Sequence, residues 1–411
     1  MSQERKVAVT GLGCITPVGN NVSSFWENIS TGKHGIAPIT AFDTADFPVK
    51  LAAEVKGFDP KDYPDTAKGD GRRADRNAQF ALIASREAVE SSGIARQIDS
   101  ERLGVYIGTS SGALQMITQQ HEKYLENGPD LISAFFAPYA IPNAASSLTA
   151  IKYNAKGPCL PIMTACATAS HSIGEAYRAI KHGYADAVIA GGTDATILPL
   201  IVGGFAACGA LHTGGDPDAA SIPFDKRRRG FVMGEGAGIL VLEELEHALT
   251  RKAEIYCMID GYGNTCDASH ITLPAQDVQS ATRVILEAAG REFDTEGLYI
   301  NAHGTSTPIN DPTETRAIKQ AFGNAAYGIP VSSTKSMTGH MLGAAGGAEA
   351  IACIMALKHG ILPPTAGLTE PDDDCDLDYV PCKARKYPIR SALSLSFGFG
   401  GQNAALLFKK L

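Results

Sequence analysis

Short apolar segments that end in glycine recur along this chain and alternate with segments of helical periodicity. No other feature constrains the fold as strongly. Residues 6–11, 103–108 and 187–192 read as buried strands. Asn21 can cap a helix over 22–30 closed by Gly32, and apolar residues spaced three and four apart predict a helix over 80–89. Strands alternating with helices imply βαβ units and a largely parallel sheet. The polar stretch 56–76, with its glycines and prolines, reads as loop, and a charged segment at 245–258 leads into a new set of elements. The chain therefore divides into halves 1–255 and 256–411.

A faint repeat supports two halves. Met163-Thr164-Ala165-Cys166 opens a small-residue helix that ends near Gly183, and Met337-Thr338-Gly339-His340 opens another that ends near Gly360. The two intervals differ by three residues. On this reading one supersecondary unit is used twice. Cys166 and His340 then occupy equivalent helix N-termini, and a pseudo-twofold axis brings them together.

The length of 411 residues fits two to three domains at ~150 residues each. With 44% hydrophobic and 19% charged residues, the composition is that of a globular protein. A net charge of −8 argues against a non-specific nucleic-acid binder. No uncharged apolar stretch approaches the ~18 residues of a membrane span. The first residues lack a secretory or transit leader, so a cytoplasmic location is expected. The nine cysteines are odd in number and contain no Cys-x-x-Cys pair, so neither a disulfide framework nor a zinc knuckle is expected.

Four places can carry chemistry. Cys166 sits where apolar residues give way to a small-residue helix, a strand-to-helix turn that lifts a nucleophile clear of the backbone. Free N–H groups and the dipole at a helix start favour thiolate over thiol and can receive an oxyanion; the bland alternative is a buried packing cysteine. His303, in Asn301-Ala302-His303-Gly304-Thr305-Ser306-Thr307-Pro308, follows a strand end, where α/β sheets place ligands. The hydroxyls of Thr305 and Thr307 can hold a polar substrate arm. His340 follows Lys335-Ser336-Met337-Thr338-Gly339, and Lys335, if buried, needs a carboxylate, for which Glu314 and Glu349 are candidates. Gly398-Phe399-Gly400-Gly401 reads as a gate around the Phe399 ring or, more weakly, as a phosphate cradle.

Taken together, Thr-Ala-Cys-Ala-Thr at Cys166, His-Gly-Thr-Ser-Thr-Pro at His303, Lys-Ser-Met-Thr-Gly-His ending at His340 and Ser-Phe-Gly-Phe-Gly-Gly ending at Gly401 resemble the β-ketoacyl-[acyl carrier protein] synthase II family in order and spacing. Val9-Thr10-Gly11-Leu12-Gly13 and residues 223–236 resemble its other landmarks, so the likeness runs from about residue 5 to 410. The resemblance implies a thiolase-like α/β fold of two similar βαβ halves in a five-layered αβαβα arrangement, assembled as a homodimer. It implies catalysis by Cys166, His303 and His340, with Lys335 organising the site beside Glu314 and Glu349. The N–H groups of Cys166 and Phe399 would form the oxyanion hole. Thr305, Thr307, Thr272, Phe205, Ser111 and Gly400 would bind substrate, and Lys68, Arg72 and Arg73 would dock an acyl carrier protein. No metal and no bound organic cofactor is implied, since the carrier supplies its own phosphopantetheine arm.

The implied reaction is a decarboxylating Claisen condensation in fatty-acid elongation. Lys226-Arg227-Arg228-Arg229 is a second basic cluster that can meet an acidic carrier. Leu395, Gln402, Ala169 and Ser111 depart from the family pattern and leave chain length and pathway open. The same chemistry in a specialised polyketide or polyene pathway is the alternative. A cysteine hydrolase and a non-catalytic carrier-binding partner are readings of other classes.

Overall fold

A computed structural model describes residues 5–411. Its main strands are β1 (Val7–Ile15), β2 (Leu103–Gly108), β3 (Ala187–Asp194), β4 (Gly236–Glu244), β5 (Cys257–Cys266), β6 (Leu298–Asn301), β7 (Val331–Ser332), β8 (Ser391–Gly398) and β9 (Gln402–Lys409). They form a nine-stranded sheet in the order β2-β3-β4-β1-β5-β9-β8-β6-β7. The helices that cover it are α1 (Val22–Ser30), α2 (Arg76–Ser92), α3 (Thr168–Lys181), α4 (Gln279–Ala289), α5 (Asn310–Phe322) and α6 (Ala345–His359).

The sheet is mixed, not largely parallel. Only β2–β3, β8–β6 and β6–β7 run parallel, and the remaining neighbours are antiparallel. An apolar run reports burial on both faces but not strand direction. Direction comes from the connections, such as the tight turn at Gly400 and Gly401 that returns β8 onto β9 as a hairpin. The stretch 56–76 contains two short helical turns, Pro60–Asp62 and Gly69–Arg73, within the expected loop. The helix expected over 80–89 is longer at both ends. Asp75 caps it by accepting a hydrogen bond from the Asn77 N–H at 3.2 Å, and Gly93 closes it in the left-handed conformation. The α1 helix runs over 22–30 with Asn21 as its cap, as read from the sequence.

Both halves follow one plan. The order β1-α2-β2-α3-β3-β4 is repeated as β5-α4-β6-α6-β8-β9, and each set occupies the same relative positions in its part of the sheet. The repeat extends to single glycines. A Cβ on Gly11 or Gly13 of β1 would lie 2.1 or 2.0 Å from the Ala88 or Ala84 carbonyl of α2. A Cβ on Gly261 or Gly263 of β5 would lie 1.8 or 2.1 Å from the Ala288 or Val284 carbonyl of α4. Each strand is bare where its covering helix crosses, so backbone meets backbone.

The α3 and α6 helices lie between the two halves of the sheet. The first touches β2, β3 and β4 on one side and β9 and β5 on the other; the second touches β3 and β4 on one side and β8, β9 and β6 on the other. The outer faces carry α2 against β1, β3 and β4, and α4 against β5, β8 and β9, with α5 packed on α4. This is a five-layered αβαβα arrangement. Three apolar cores fill the gaps between layers, and the largest surrounds the central helices. Its apolar surface, removed from water at about 25 cal/mol per Å², holds the layers together.

The repeat register differs from the sequence reading. Ala165 and Leu342 share a left-handed φ of 49° at the start of matching 3₁₀ turns, Ala165–Ala167 and Leu342–Ala344, each running into a central helix. The counterpart of Cys166 is therefore Gly343, not His340, and the three-residue mismatch disappears. A Cβ at Gly343 would stand 2.5 Å from the Asp194 carboxylate and 2.6 Å from the Ser110 nitrogen, so that turn has no room for a side chain.

Candidate active site

Cys166 occupies the 3₁₀ turn that precedes α3, and its backbone is forced into place by the left-handed Ala165. The β8 hairpin closes over this turn at Gly398, where a Cβ would lie 2.8 Å from the Thr164 carbonyl. The thiol is buried in an apolar cluster with Ile197, Val202, Phe231, Met233 and Leu342. Burial pushes its pKa up to about 11, against the pull of the Phe399 N–H, the Lys335 charge and its own N–H. The helix start thus does not leave a thiolate at rest, contrary to the sequence expectation. Desolvation of the charged form outweighs two N–H groups and a distant ammonium. Those two N–H groups nevertheless converge on the sulfur.

His303 follows β6. Glu314 on α5 fixes this loop by accepting the His303 and Gly304 N–H groups at 2.7 and 2.8 Å. Burial raises the Glu314 pKa to about 7 despite those bonds. Lys335 is 1% exposed and lies behind His303. Its ammonium forms a buried pair with Glu349 on α6 and donates to His303 Nδ1 at 3.3 Å. The partner of Lys335 is therefore Glu349, and Glu314 serves the loop backbone instead. Because Nδ1 accepts from Lys335, the proton of the neutral imidazole resides on Nε2.

His340 is held by its backbone, which donates to the Val232 carbonyl at 2.7 Å and accepts from the Gly234 N–H at 2.8 Å. Its ring lies 5.4 Å from that of His303, nearly perpendicular, and 5.2 Å from Phe231. Among the described residues neither ring nitrogen of His340 has a hydrogen-bond partner. Burial and the Lys335 charge hold both imidazoles well below the usual histidine pKa, and the two rings reinforce each other at His303. Both are neutral at physiological pH.

One cavity of about 310 Å³ gathers Cys166, His303, His340, Phe399, Phe205, Thr272, Thr305 and Thr307 in its lining. The Phe205 and Phe399 rings stand 6.2 Å apart. Gly400 and Ser111 do not line it; Gly398 and Gly401 do, and the Ser111 hydroxyl faces that of Ser110 at 3.0 Å. Lys68, Arg72 and Arg73 lie apart, exposed on or beside the short helix Gly69–Arg73. There Arg73 pairs with Asp70 at 3.4 Å and covers the Phe135 ring at 4.3 Å.

The sequence reading missed Phe231, Phe397 and Asp194. Phe397 places its ring 5.8 Å from His303. Asp194 ends β3 and accepts from Thr109 Oγ1 at 2.7 Å and the Gly343 N–H at 2.6 Å, which ties the first half to the second turn. An acid closing the apolar run Gly191-Gly192-Thr193-Asp194 was the available signal.

A buried cysteine on a helix-start turn, two N–H groups aimed at it and two neutral imidazoles in the same chamber define a class, the thiolase-like enzymes that carry acyl groups on sulfur. Comparison with known proteins narrows this. Residues 4–248 match the family described as Beta-ketoacyl synthase, N-terminal domain, and residues 256–369 the one described as Beta-ketoacyl synthase, C-terminal domain. The 3-oxoacyl-[acyl-carrier-protein] synthase 2 of Synechocystis sp. is 50% identical over 413 residues, covering 99% of each chain. That of Coxiella burnetii is 48% identical over 414 residues, covering 100% of this chain and 99% of its own. Among solved structures, a chain of AntDE:AntF, a type II PKS acyl-carrier protein in complex with its ketosynthase bound to the hexaketide, superposes with a TM-score of 0.92 at 35% identity and covers both chains fully. A beta-ketoacyl synthase from Burkholderia phymatum superposes at 0.90 with 32% identity, over 99% of this chain and 100% of its own. The chain belongs to the β-ketoacyl synthase family.

Proposed function

We propose that this enzyme catalyses the decarboxylating Claisen condensation of an acyl-enzyme thioester with malonyl-[acyl carrier protein], giving 3-oxoacyl-carrier in fatty-acid chain elongation. The observation that carries the proposal is the convergence of the Cys166 thiol and the two neutral imidazoles of His303 and His340 on one cavity. In the first half-reaction Cys166 sulfur attacks the acyl thioester of the carrier. The oxyanion is received by the N–H groups of Cys166 and Phe399, the carrier thiol leaves, and it takes the proton that Cys166 gave up. In the second, the malonyl thioester enters and its C–C bond to the carboxylate breaks, releasing CO₂. The electron pair moves onto the thioester oxygen as an enolate. His303, donating from Nε2, and His340, whose nitrogens are free, stabilise that charge. The enolate carbon then attacks the acyl carbonyl, and the Cys166 thiolate leaves.

Lys335 positions His303 and fixes its tautomer, and Glu349 neutralises Lys335. Thr305, Thr307 and Thr272 contact the pantetheine arm, and Lys68, Arg72 and Arg73 meet the acidic carrier. The reaction as written needs no metal and no cofactor beyond the carrier's own arm. We place the division of the chain near residue 255, and the enzyme in the cytoplasm as a homodimer. The same chemistry on a polyketide chain is the second reading, favoured by the AntDE:AntF likeness. Intact-protein mass spectrometry after incubation with acyl-carrier proteins of several chain lengths tests the proposal. Acyl adducts that vanish in Cys166→Ala are expected, and a protein that takes up no acyl group overturns it.

A further inference from the structure

The basic run Lys226-Arg227-Arg228-Arg229 is not one patch. Lys226 pairs with Glu370 at 3.1 Å, Arg227 with Asp225 at 2.8 Å, and the buried Arg228 with Asp311 at 3.6 Å and Asp372 at 2.5 Å. Among the described residues Arg229 has no such partner; it is exposed and lines the cavity. Among the described residues, besides the two imidazoles the only other ionisable oxygen or nitrogen group in the lining is the Asp267 carboxylate. That group is saturated by the Ser280 hydroxyl, the Asn403 amide at 2.7 Å and the Ala275 N–H at 3.0 Å. The cavity therefore presents one uncommitted charge, and it is positive.

Its position is fixed from both sides. Before it, Arg228 Nε donates to the Thr307 carbonyl at 3.0 Å; after it, the Gly230 N–H donates to the Ser306 carbonyl at 3.0 Å. A side chain at Gly230 is barred, because a Cβ would lie 2.6 Å from the Leu211 carbonyl carbon. Arg229 is thus pinned beside the Thr305–Thr307 turn, whose hydroxyls lie 3.0 Å apart. Two residues on, Phe231 packs against His340. One rigid segment runs from the reaction chamber to the cation.

We infer that Arg229 is the anion-recognition residue of the substrate channel and takes the phosphodiester of the carrier's phosphopantetheine arm while Thr305 and Thr307 hold the pantetheine portion. This rests on the synthase reading of the same site. A guanidinium offers two parallel N–H donors that match phosphate oxygens, which an ammonium cannot do. Few but convergent polar groups at the rim of an otherwise apolar pocket are the usual means of fixing a ligand's orientation.

Protection of Cys166 from iodoacetamide by phosphopantetheine and by pantetheine, each with its thiol blocked by S-methylation so that it consumes no reagent, reads binding without turnover. In the wild type, phosphopantetheine should protect at concentrations at least tenfold lower than pantetheine. In Arg229→Ala the two should protect alike, and Arg229→Lys should restore part of the difference. Equal protection in the wild type, or a preference that survives in Arg229→Ala, overturns the inference. A defect of Arg229→Ala seen only with the whole carrier protein also overturns it, since the cation would then face a carboxylate on the carrier surface. Failure of the synthase reading shows separately, as the absence of any acyl adduct on the wild type.

Discussion

Burial decides the resting proton of Cys166. With its pKa raised to about 11, the thiol keeps its proton at neutral pH, and the thiolate fraction rises about tenfold per pH unit until that value is approached. Iodoacetamide alkylation should therefore climb steeply from pH 7 to 10; a plateau near pH 7 would show a pre-formed thiolate. On the proposed mechanism the thiolate is then generated when substrate arrives, with the Phe399 and Cys166 N–H groups already in place. On the proposed roles, His340→Ala removes one of two enolate donors and should slow malonyl decarboxylation by about 100–1,000-fold while self-acylation survives, checked by CO₂ release against mass gain. Lys335→Met strands Glu349 without its partner among apolar groups and should cost about 3–5 kcal/mol in denaturant unfolding. An unchanged midpoint would mean that the pair is not the buried ion pair described above. The gathering of Cys166, His303 and His340 at one cavity was legible in the sequence because a thiol and two imidazoles stand out among small residues. The partner of Lys335 was not, since Glu314 and Glu349 both lie near it in sequence and only the packing of α6 chooses between them.

At the scale of elements, glycine sets how closely layers approach. Gly347 on α6 faces Gly238 on β4, and a Cβ there would lie 2.2 Å from the Gly238 carbonyl oxygen. Gly347→Ala should therefore destabilise the protein by about 1–3 kcal/mol or more, because the opposing atom is backbone and cannot turn away. Thermal unfolding measures this, and wild-type stability in the variant would show that the central helix can shift outward at no cost. The existence of the elements could be read from the sequence, since apolar periodicity reports burial directly. Their ends were less legible. Asn77 and Gln79 lie in the first turn of α2 and are buried, which hides the amphipathic pattern that would have marked its start. Strand direction was beyond local sequence altogether, and so was the kinship of Gly11 and Gly13 with Gly261 and Gly263, which share a role but few neighbours.

For the whole molecule, the net charge of −8 sets the problem of meeting an acidic partner. On the proposed docking, the exposed Arg72 and Arg73 supply the positive charge that steers an acidic carrier. Reversing both to Glu should raise KM for carrier-bound substrate, more at low than at high salt, and leave turnover of a small thioester alone. An unchanged KM places docking elsewhere. The five-layered plan reached the sequence reading through family resemblance, because no local pattern says that two helices will be enclosed between sheet halves from both ends of the chain.

Duplicating a segment ordinarily duplicates its workplace, yet this molecule keeps a single bench. Where the first copy bears sulfur, the second bears Gly343, pressed against the carboxylate of Asp194. Installing a second thiol there would demand eviction of that acid, so an engineer wanting two reactive centres per chain must begin by rebuilding the seam and not by adding a cysteine.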